Sequence, residues 1–473
     1  MISKDTSSGG RIDYVLSSLY LSLVGIGILM IYAEGYKQGY DMEFGEFMVK
    51  TYAGKQMMFF GVSIVLSLLI FTIDAKFWRV FAYPVYGVGI FFLIMVLLFG
   101  KEIHGTKSWF NIAGFGFQPV ELAKLGTCIA LASYIASPSV NLRDIQPRYV
   151  LAGILGLPII LTLLQPDPGS LLVFFSFSIM LFREGLSPTP YIIGLSLLTV
   201  FILALKFTAD PNELVMYLTM LVSLLFGFNI AQRQRLWIGV VMASILVSTY
   251  LYFNGNKEFG LILSVLMVLV FAIVHSRKGR FRLVIMGAGS LIVATALIYS
   301  TNFAFNNFLK KHHQERINIW LGIGKVNLRD AAYNLNQSKM AIGSGGFQGK
   351  GFLEGTMTKL NFVPEQHTDY IFCTIGEEQG FLGVFAVIAI YVLFLYRIIQ
   401  IGERNRSNFV RIYAYGLVGI FFFHFFINIG MTMGLVPTIG IPLPFISAGG
   451  SSLMFFSSMI AILIRLDSSR YMV

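Results

Sequence analysis

One carboxylate stands where a polar stretch meets a new apolar run. The glycine-rich stretch 337–380 carries charge, and within it His367, Thr368 and Asp369 immediately precede a long hydrophobic segment. A carboxylate that enters a membrane helix is costly, and such residues are generally kept for chemistry or ion handling. Asp369 is therefore the leading candidate for a catalytic residue.

A charged pair lies at the start of another apolar run. In QPVELAK, Glu121 and Lys124 are three positions apart and share one helical face. The pair can neutralise itself at an interface while the lysine snorkels, or it can form the charged wall of a water-filled cavity. Gln118 and Pro119 fix the helix start and so place both charges at a defined depth, which favours the cavity.

Two further polar segments each allow a functional and a structural interpretation. Asp167 lies between two prolines in QPDPGS, where turn formation alone explains the composition. The segment KKHHQERINIW, residues 310–320, is typical of an amphipathic interfacial stretch, and its Arg316 can hold a phosphate with two hydrogen bonds. A plain solvated face explains the same segment equally well.

Two glycine-rich segments carry no obvious catalytic group. IGSGGFQGKG lacks the Walker spacing and follows no strand, so a nucleotide site is disfavoured and its glycines are explained by tight turns. PTIGIPLPFISAGGSS, residues 437–452, interrupts two apolar runs. Broken backbone at membrane depth is tolerated where it is buried or lines a cavity, and this segment's lack of charge predicts a scaffold.

The composition requires a membrane to hold these elements. The chain has 473 residues, of which 56% are hydrophobic and 12% charged, and its mean hydropathy is +0.73. Soluble domains carry about 25% charged residues. The net charge of +11 comes from basic residues in short turns between apolar runs. That is the positive-inside pattern of membrane proteins and not the footprint of a nucleic-acid-binding surface.

Apolar runs and charge alternation predict the topology. We expect an all-α polytopic protein with about 14 transmembrane helices, both termini cytoplasmic, and a long extracytoplasmic loop over residues 301–369. Residues 1–473 are expected to form a single integral membrane domain. Cys128 and Cys373 are far apart in sequence, which indicates neither a disulfide framework nor a cysteine metal site.

Five ordered motifs carry a family resemblance: FQPVELAKL, QPDPGS, QSKMAIGSGGFQGKG, FVPEQHTDYIF with IGEEQGFLG, and NIGMTMGLVPTIGIPLPFISAGGSS. Together they resemble the SEDS family (shape, elongation, division and sporulation), and its elongation branch more than its division branch. The resemblance implies a ten-helix core, so residues 206–300 are interpreted as about four inserted helices. An even number leaves the loop 301–369 outside.

The resemblance implies a peptidoglycan glycosyltransferase that polymerises lipid II at the outer face of the bacterial cytoplasmic (inner) membrane, for cell elongation and rod shape. It implies a class B penicillin-binding protein, a transpeptidase, as partner. Matching motifs assign the essential acidic role to Asp369, and they assign substrate binding to Glu121, Lys124, Asp167, Arg316, His367 and Glu365.

Some positions depart from the family pattern. Ser108 and Asn111 replace the customary Arg and Asp around Trp109, which weakens any transfer of roles to that outer loop. Val120 replaces a Ser and Ala448 replaces a Tyr. None of these changes touches Asp369.

The expected mechanism needs a base and a means of stabilising the leaving group. We expect Asp369 to accept the proton of the acceptor hydroxyl, while Arg316 and Lys124 offset the charge of the departing pyrophosphate. Glu121 is expected to orient Lys124 or to help hold a divalent cation, Mg²⁺ or Mn²⁺, which is a candidate cofactor. The alternatives are a lipid II flippase or other transporter, since broken helices and intramembrane charge also fit one, and a non-catalytic scaffold for cell-wall enzymes.

Overall fold

The structure is a computed structural model that describes residues 12–36, 43–103, 106–112, 115–208, 210–231, 236–277, 279, 281–307, 311–323, 331–360, 362–363 and 365–469. Its first half contains α1 (Tyr14–Gly35), α2 (Phe44–Lys50), α3 (Tyr52–Thr72), α4 (Ala75–Val80), α5 (Ala82–Phe99), α6 (Pro119–Ile135), α7 (Ile145–Leu164), α8 (Pro168–Phe174), α9 (Phe177–Arg183) and α10 (Thr189–Lys206).

The remaining helices follow in order: α11 (Pro211–Ala231), α12 (Leu236–Phe253), α13 (Lys257–Arg277), α14 (Phe281–Asn307), α15 (Lys311–Leu321), α16 (Ala331–Ser344), α17 (Thr356–Lys359), α18 (Ile371–Arg404), α19 (Asn408–Met433) and α20 (Gly450–Ser468). Within the described residues, ten helices are long and apolar enough to cross a bilayer. The chain is therefore a multi-pass membrane protein. The count of about 14 spans stays a prediction.

A small antiparallel sheet corrects the expectation of a purely helical chain. Strands β1 (Lys101–Ile103), β2 (Thr106–Ile112) and β3 (Phe115–Phe117) pair in the order β1-β2-β3. Aromatic residues favour strands, and Phe110 pairs with Phe117 across β2 and β3. Because β3 ends two residues before Pro119, the sheet fixes the entry to α6.

The predicted loop 301–369 also contains regular structure. The end of α14 and the whole of α15, α16 and α17 fall within it, so its described part is largely helical rather than irregular. The motif QSKMAIGS continues α16 up to Ser344, and only the glycines after it leave the helix.

Those glycines pack directly on a kink in α18. Gly380 has φ 61° and ψ −158°, and the backbone amide of Phe381 donates to Gly346 O at 2.9 Å. A Cβ at Gly349 would lie 2.1 Å from the carbonyl oxygen of Glu378. The glycines thus allow two backbones to touch, which is a structural use for this motif.

The contacts divide the chain into two compact units. The first consists of Met1–Ser187 and Asn327–Val473, and the second of Pro188–Val326. In the first unit, Phe394, Phe421, Phe445 and Phe456 form a buried aromatic cluster. The free cysteines Cys128 and Cys373 are fully buried in the first unit.

Buried hydroxyl groups join helices within the second unit. Thr219 on α11 donates to Ser264 on α13 at 2.8 Å, and Ser248 on α12 donates to the carbonyl of Gly260 at 2.5 Å. Hydrogen bonds between helices substitute for a hydrophobic driving force inside lipid. The predicted insertion 206–300 falls inside this unit.

Candidate active site

Asp369 lies two residues before α18, with its backbone held at both ends. Its amide donates to Glu365 O at 3.1 Å, and its carbonyl accepts from Asn428 Nδ2 of α19 at 2.9 Å. The carboxylate lies against Gly440, where a built Cβ would be 3.0 Å from Asp369 Oδ2. The side chain is half-buried, so it is placed by the fold while keeping partial access.

The segment that holds Asp369 is the irregular stretch 434–449 between α19 and α20, here called the broken segment. The Ala448 amide donates to His367 O at 2.8 Å, and Ser447 Oγ donates to Thr368 O at 2.6 Å. Asn428 Nδ2, besides its bond to the aspartate carbonyl, donates to Ile441 O at 2.7 Å. Residues 367 and 368 are therefore bonded directly to the broken segment, and Asp369 is connected to it through Asn428.

Other helices hold the broken segment in turn. Gln56 on α3 donates to Ser447 O at 3.2 Å and accepts from the Gly449 amide at 3.1 Å. The hydroxyl of Tyr391 donates to Pro444 O. These contacts satisfy backbone groups that lipid cannot solvate, and they make the broken segment the scaffold that its composition predicts.

Glu121 and Lys124 do form a pair, and it is completely enclosed. Lys124 Nζ lies 2.7 Å from Glu121 Oε1 and 3.0 Å from His424 Nε2, and the exposed fraction of the lysine is 0%. His424 Nδ1 lies 3.2 Å from Pro442 O. Because a carbonyl can only accept, Nδ1 carries the proton and Nε2 accepts from the lysine. His424 thus connects the charged pair to the broken segment.

Asp167 caps a helix next to these groups. Its carboxylate accepts from the Ser170 amide at 3.0 Å and from Ser170 Oγ at 2.8 Å, at the start of α8. Gln118 Nε2 also donates to it at 3.3 Å. A Cβ at Gly169 would lie 3.3 Å from Gly440 O. Gly440 therefore contacts both the Asp369 carboxylate and the turn that contains Asp167.

His367 and Glu365 precede Asp369 in the chain, and His367 packs against α3 and the end of α1. The His367 ring stacks on Tyr52 with centroids 3.8 Å apart. Its Nδ1 is 4.0 Å from Glu34 Oε1 and its Nε2 is 3.9 Å from Glu365 Oε2. The Glu365 side chain is 49% exposed and its backbone has φ 53°. Such left-handed geometry in a glutamate is uncommon and occurs often at functional sites.

The structure brings six of the seven predicted site residues into the first unit. Arg316 is an exposed residue of α15 in the second unit. Its role toward the pyrophosphate stays a prediction.

Three polar residues that hold this site, Gln56, His424 and Asn428, were not predicted. His424 and Asn428 are four positions apart on α19, and both are buried. Two polar side chains on one face of an otherwise apolar span were a readable signal. Gln56 follows Lys55 near the start of α3, where polar residues are common, and gave no comparable signal.

The candidate divalent cation stays a prediction. The described residues contain no group of three or more histidine, cysteine, aspartate or glutamate side chains able to hold a metal. Glu121 Oε1 is occupied by Lys124, and the Asp167 oxygens are occupied by Ser170 and Gln118. No step below is derived through a cation.

Comparison with known proteins accounts for this arrangement of motifs. The sequence profile of the FtsW, RodA and SpoVE family, described as "Cell cycle protein", matches residues 14–210 and 202–472. The chain belongs to this family. The SEDS resemblance inferred from the five motifs is thereby confirmed.

Curated members of the family carry enzyme names. The chain is 30% identical over 451 residues to "Peptidoglycan glycosyltransferase RodA" of Treponema pallidum (strain Nichols), covering 95% of each chain. It is 26% identical over 418 residues to "Peptidoglycan glycosyltransferase MrdB" of Escherichia coli (strain K12), covering 87% of this chain and 84% of that one. A protein named "Probable peptidoglycan glycosyltransferase FtsW" of Acinetobacter baylyi is 26% identical over 465 residues.

Solved structures share the fold. One chain, from a study described as "Structural coordination of polymerization and crosslinking by a peptidoglycan synthase complex", aligns with TM-score 0.61 and 21% identity, over 98% of this chain and 99% of that one. The Thermus thermophilus rod shape determining protein RodA aligns with TM-score 0.56 and 19% identity, over 98% of each chain. The family fold therefore extends over nearly the whole chain.

Proposed function

We propose that this chain is a peptidoglycan glycosyltransferase that polymerises lipid II into glycan strands during cell elongation. Family membership and the names of its relatives support the reaction class. One observation on the chain itself supports the site. The Asp369 carboxylate lies at a membrane boundary on a backbone held at three consecutive residues, at the first two by the broken segment and at the third by Asn428 of α19. Such fixation suits a catalytic group, because proton transfer depends on position.

In the proposed reaction, Asp369 is the general base. Its carboxylate accepts the proton of the 4-hydroxyl on the acceptor sugar of lipid II. The hydroxyl oxygen forms a bond to the anomeric carbon of the growing glycan. The bond from that carbon to the lipid pyrophosphate breaks, and the pyrophosphate leaves with the electron pair. A positioned base contributes about 10²–10⁴-fold to such a step.

The burial of Lys124 changes the role that we propose for it. With an exposed fraction of 0%, its ammonium group faces Glu121 and His424 rather than an open groove. We assign it to positioning: the buried pair fixes α6 against α19, and His424 carries that constraint to the broken segment. Arg316, which is exposed on α15, remains the proposed contact for the pyrophosphate.

Location and partner belong to the same proposal. The alternation of basic turns supports a catalytic face on the outside of the cytoplasmic membrane, with both termini inside. A class B penicillin-binding protein is the proposed partner, because a fold relative belongs to a complex in which polymerization and crosslinking are coordinated. An active site at Asp369 on the outer face would then deliver glycan directly to a transpeptidase.

The test compares Asp369→Asn with Asp144→Asn in purified full-length protein supplied with lipid II. Asp144 is exposed and makes no side-chain cap bond at the start of α7, so its variant is a matched control. We expect Asp369→Asn to lower the polymerisation rate at least about 100-fold, with unchanged thermal unfolding, since only the base is lost. Full polymerase activity in that variant would overturn the assignment.

The alternative is a lipid II flippase, which the broken segment and the buried charges also fit. Translocation of a fluorescent lipid II analogue in proteoliposomes separates the two functions. A flippase would keep translocating in Asp369→Asn and would make no glycan in either form.

A further inference from the structure

A cavity distant in sequence from Asp369 lies where four parts of the first unit meet. It has a volume of about 460 Å³ and is bounded by α4, α6, the turn between α18 and α19 together with the start of α19, and the end of α20. We call it the α4 cavity. Its size is within the range of about 300–1,000 Å³ that small-molecule sites occupy.

The lining of the α4 cavity is amphipathic. Val80, Phe409, Val410 and Leu466 supply apolar surface, whereas Ser133, Asn405, Ser407 and Ser469 supply hydroxyl and amide groups. Lys76 and Arg79 line it from α4, and both are exposed. A ligand that matches this lining carries an anionic polar part and an apolar part.

The two cations of α4 have no carboxylate partner within the described part of the chain. Four arginines of the first unit do have such partners: Arg397 and Arg404 pair with Asp13, Arg411 pairs with Glu184, and Arg183 pairs with Glu403. Lys76 and Arg79 form no such pair. Their positive charge is therefore available to an anion from outside the chain.

The position of α4 indicates where that anion comes from. The helix occupies residues 75–80 between α3 and α5, both long enough to cross a bilayer, and so lies at a membrane boundary. Trp78 on the same helix is buried, while Val80 and Phe81 are exposed and apolar. Basic residues beside tryptophan at such a boundary are typical of contact with anionic lipid head groups.

We propose that the α4 cavity binds an anionic phospholipid, with its phosphate between Lys76 and Arg79 and its upper acyl chains against Val80 and Phe409. The site is separate from the reaction at Asp369. It joins α4 to the ends of α18 and α20 through one lipid, and so makes their packing sensitive to the charge of the surrounding membrane.

The test measures binding of dioleoyl phosphatidylglycerol to the purified full chain by native mass spectrometry, with dioleoyl phosphatidylcholine as the neutral lipid. We expect Lys76→Gln/Arg79→Gln to weaken phosphatidylglycerol binding about 30-fold and to leave phosphatidylcholine binding unchanged, since each basic residue contributes about one factor of five or six. The matched control Arg143→Gln/Arg282→Gln removes two exposed basic residues outside the cavity and should bind like the unmodified chain.

A cavity-filling variant tests the place of binding. Ser407→Phe keeps both cations, so it should lose phosphatidylglycerol only if the lipid enters the α4 cavity. Equal losses in the control and the α4 variant would overturn the proposal, as would unchanged binding in Ser407→Phe. Displacement of the lipid by glycerol 3-phosphate at equal concentration would show a site for soluble phosphate instead.

Discussion

Lys124 is a cation at zero exposure, and it depends on the two groups that face it. Removing a charge from water costs several kcal/mol even in real proteins, and the cost is offset only by close partners. Glu121 at 2.7 Å supplies the opposite charge, and His424 at 3.0 Å supplies a neutral acceptor. The histidine therefore matters through its hydrogen-bond pattern rather than through a charge of its own.

Two substitutions of His424 separate the effect of its hydrogen bonds from the effect of its packing. In His424→Gln the amide can accept from Lys124 and donate to Pro442 O, so we expect polymerisation within about threefold of the unmodified chain. In His424→Leu both bonds are lost, and each buried unmet group costs about 1–3 kcal/mol. We expect that variant to lose at least about tenfold in polymerisation rate.

The control for these variants is His275→Leu. His275 is also fully buried, and its Nδ1 bonds to Phe271 O at 2.9 Å, but it lies in the second unit. Its loss should lower thermal stability without a matching loss of polymerisation rate. Equal activity in His424→Leu and His424→Gln would show that His424 has no positioning role.

At the scale of elements, the broken segment decides where the Asp369 carboxylate lies. Gly440 has φ 79° and leaves room for that carboxylate. Gly440→Ala would place a methyl group 3.0 Å from Asp369 Oδ2 and would strain the backbone by about 1–2 kcal/mol. We expect the polymerisation rate to fall at least about tenfold.

Gly434→Ala is the matched control for that substitution. Gly434 has φ 77° and thus nearly the same backbone penalty, but its Cβ would meet the flexible Lys339 side chain rather than Asp369. Its stability should fall as in Gly440→Ala, while its polymerisation rate should stay close to normal. If both alanine variants lost activity equally, strain alone would explain the effect.

A second element-scale feature joins α1 to α18. Asp13 caps α1 by accepting from the Leu16 amide at 2.8 Å, and it pairs with Arg397 at 2.8 Å and Arg404 at 2.7 Å. Burial alone would raise the pKa of Asp13, but hydrogen bonds from Arg397, the Leu16 amide and Arg404 outweigh burial and lower its pKa.

A lowered folded-state pKa fixes the sign of a pH prediction. The ionised carboxylate stabilises the fold above its unfolded pKa of about 4, and this contribution is lost as pH falls through the folded pKa. We expect Asp13→Asn to lower the free energy of unfolding by about 2–4 kcal/mol at pH 7. The difference in thermal unfolding between the two proteins in detergent should shrink as pH falls below about 4 and should vanish only below the lowered folded pKa. A difference that persisted there would contradict the charge-based explanation.

Local patterns predicted more of these elements than contacts between distant segments. The spacing of Glu121 and Lys124 predicted their pairing, and the prolines of segment 437–452 predicted its irregular backbone. The bond between Lys124 and His424 joins residues 300 positions apart, and no single-sequence pattern specifies such a contact. The sheet at 101–117 was missed because its strands are three to seven residues long, too short for an alternation to stand out.

At the scale of the whole molecule, hydropathy and charge were sufficient to predict a membrane protein but not the boundaries of its two units. Long apolar runs predicted a multi-pass protein, and the ten span-length helices of the described residues confirm that class. The predicted inserted helices, 206–300, lie within the unit Pro188–Val326. The start of this unit could not be inferred from hydropathy, because its first helix, α10, is as apolar as the helices before it.

The two buried cysteines make it practical to measure which side of the membrane each loop faces. Cys128 and Cys373 each have an exposed fraction of 0%, and buried structural thiols are inert to reagents in water. The unmodified protein should therefore give no signal with a membrane-impermeant maleimide. Any signal from an introduced cysteine then reports on its own position.

Lys76→Cys and Glu354→Cys can be labelled without background from the native cysteines, since both positions are exposed. In intact spheroplasts the reagent should label Glu354→Cys alone, and in inverted vesicles Lys76→Cys alone, as the positive-inside rule requires. The reverse labelling pattern would contradict the proposed orientation. Because the native thiols do not react, they need not be removed before spin labelling. Paired spin labels on either side of Asp369 would then measure how far the site opens when lipid II binds.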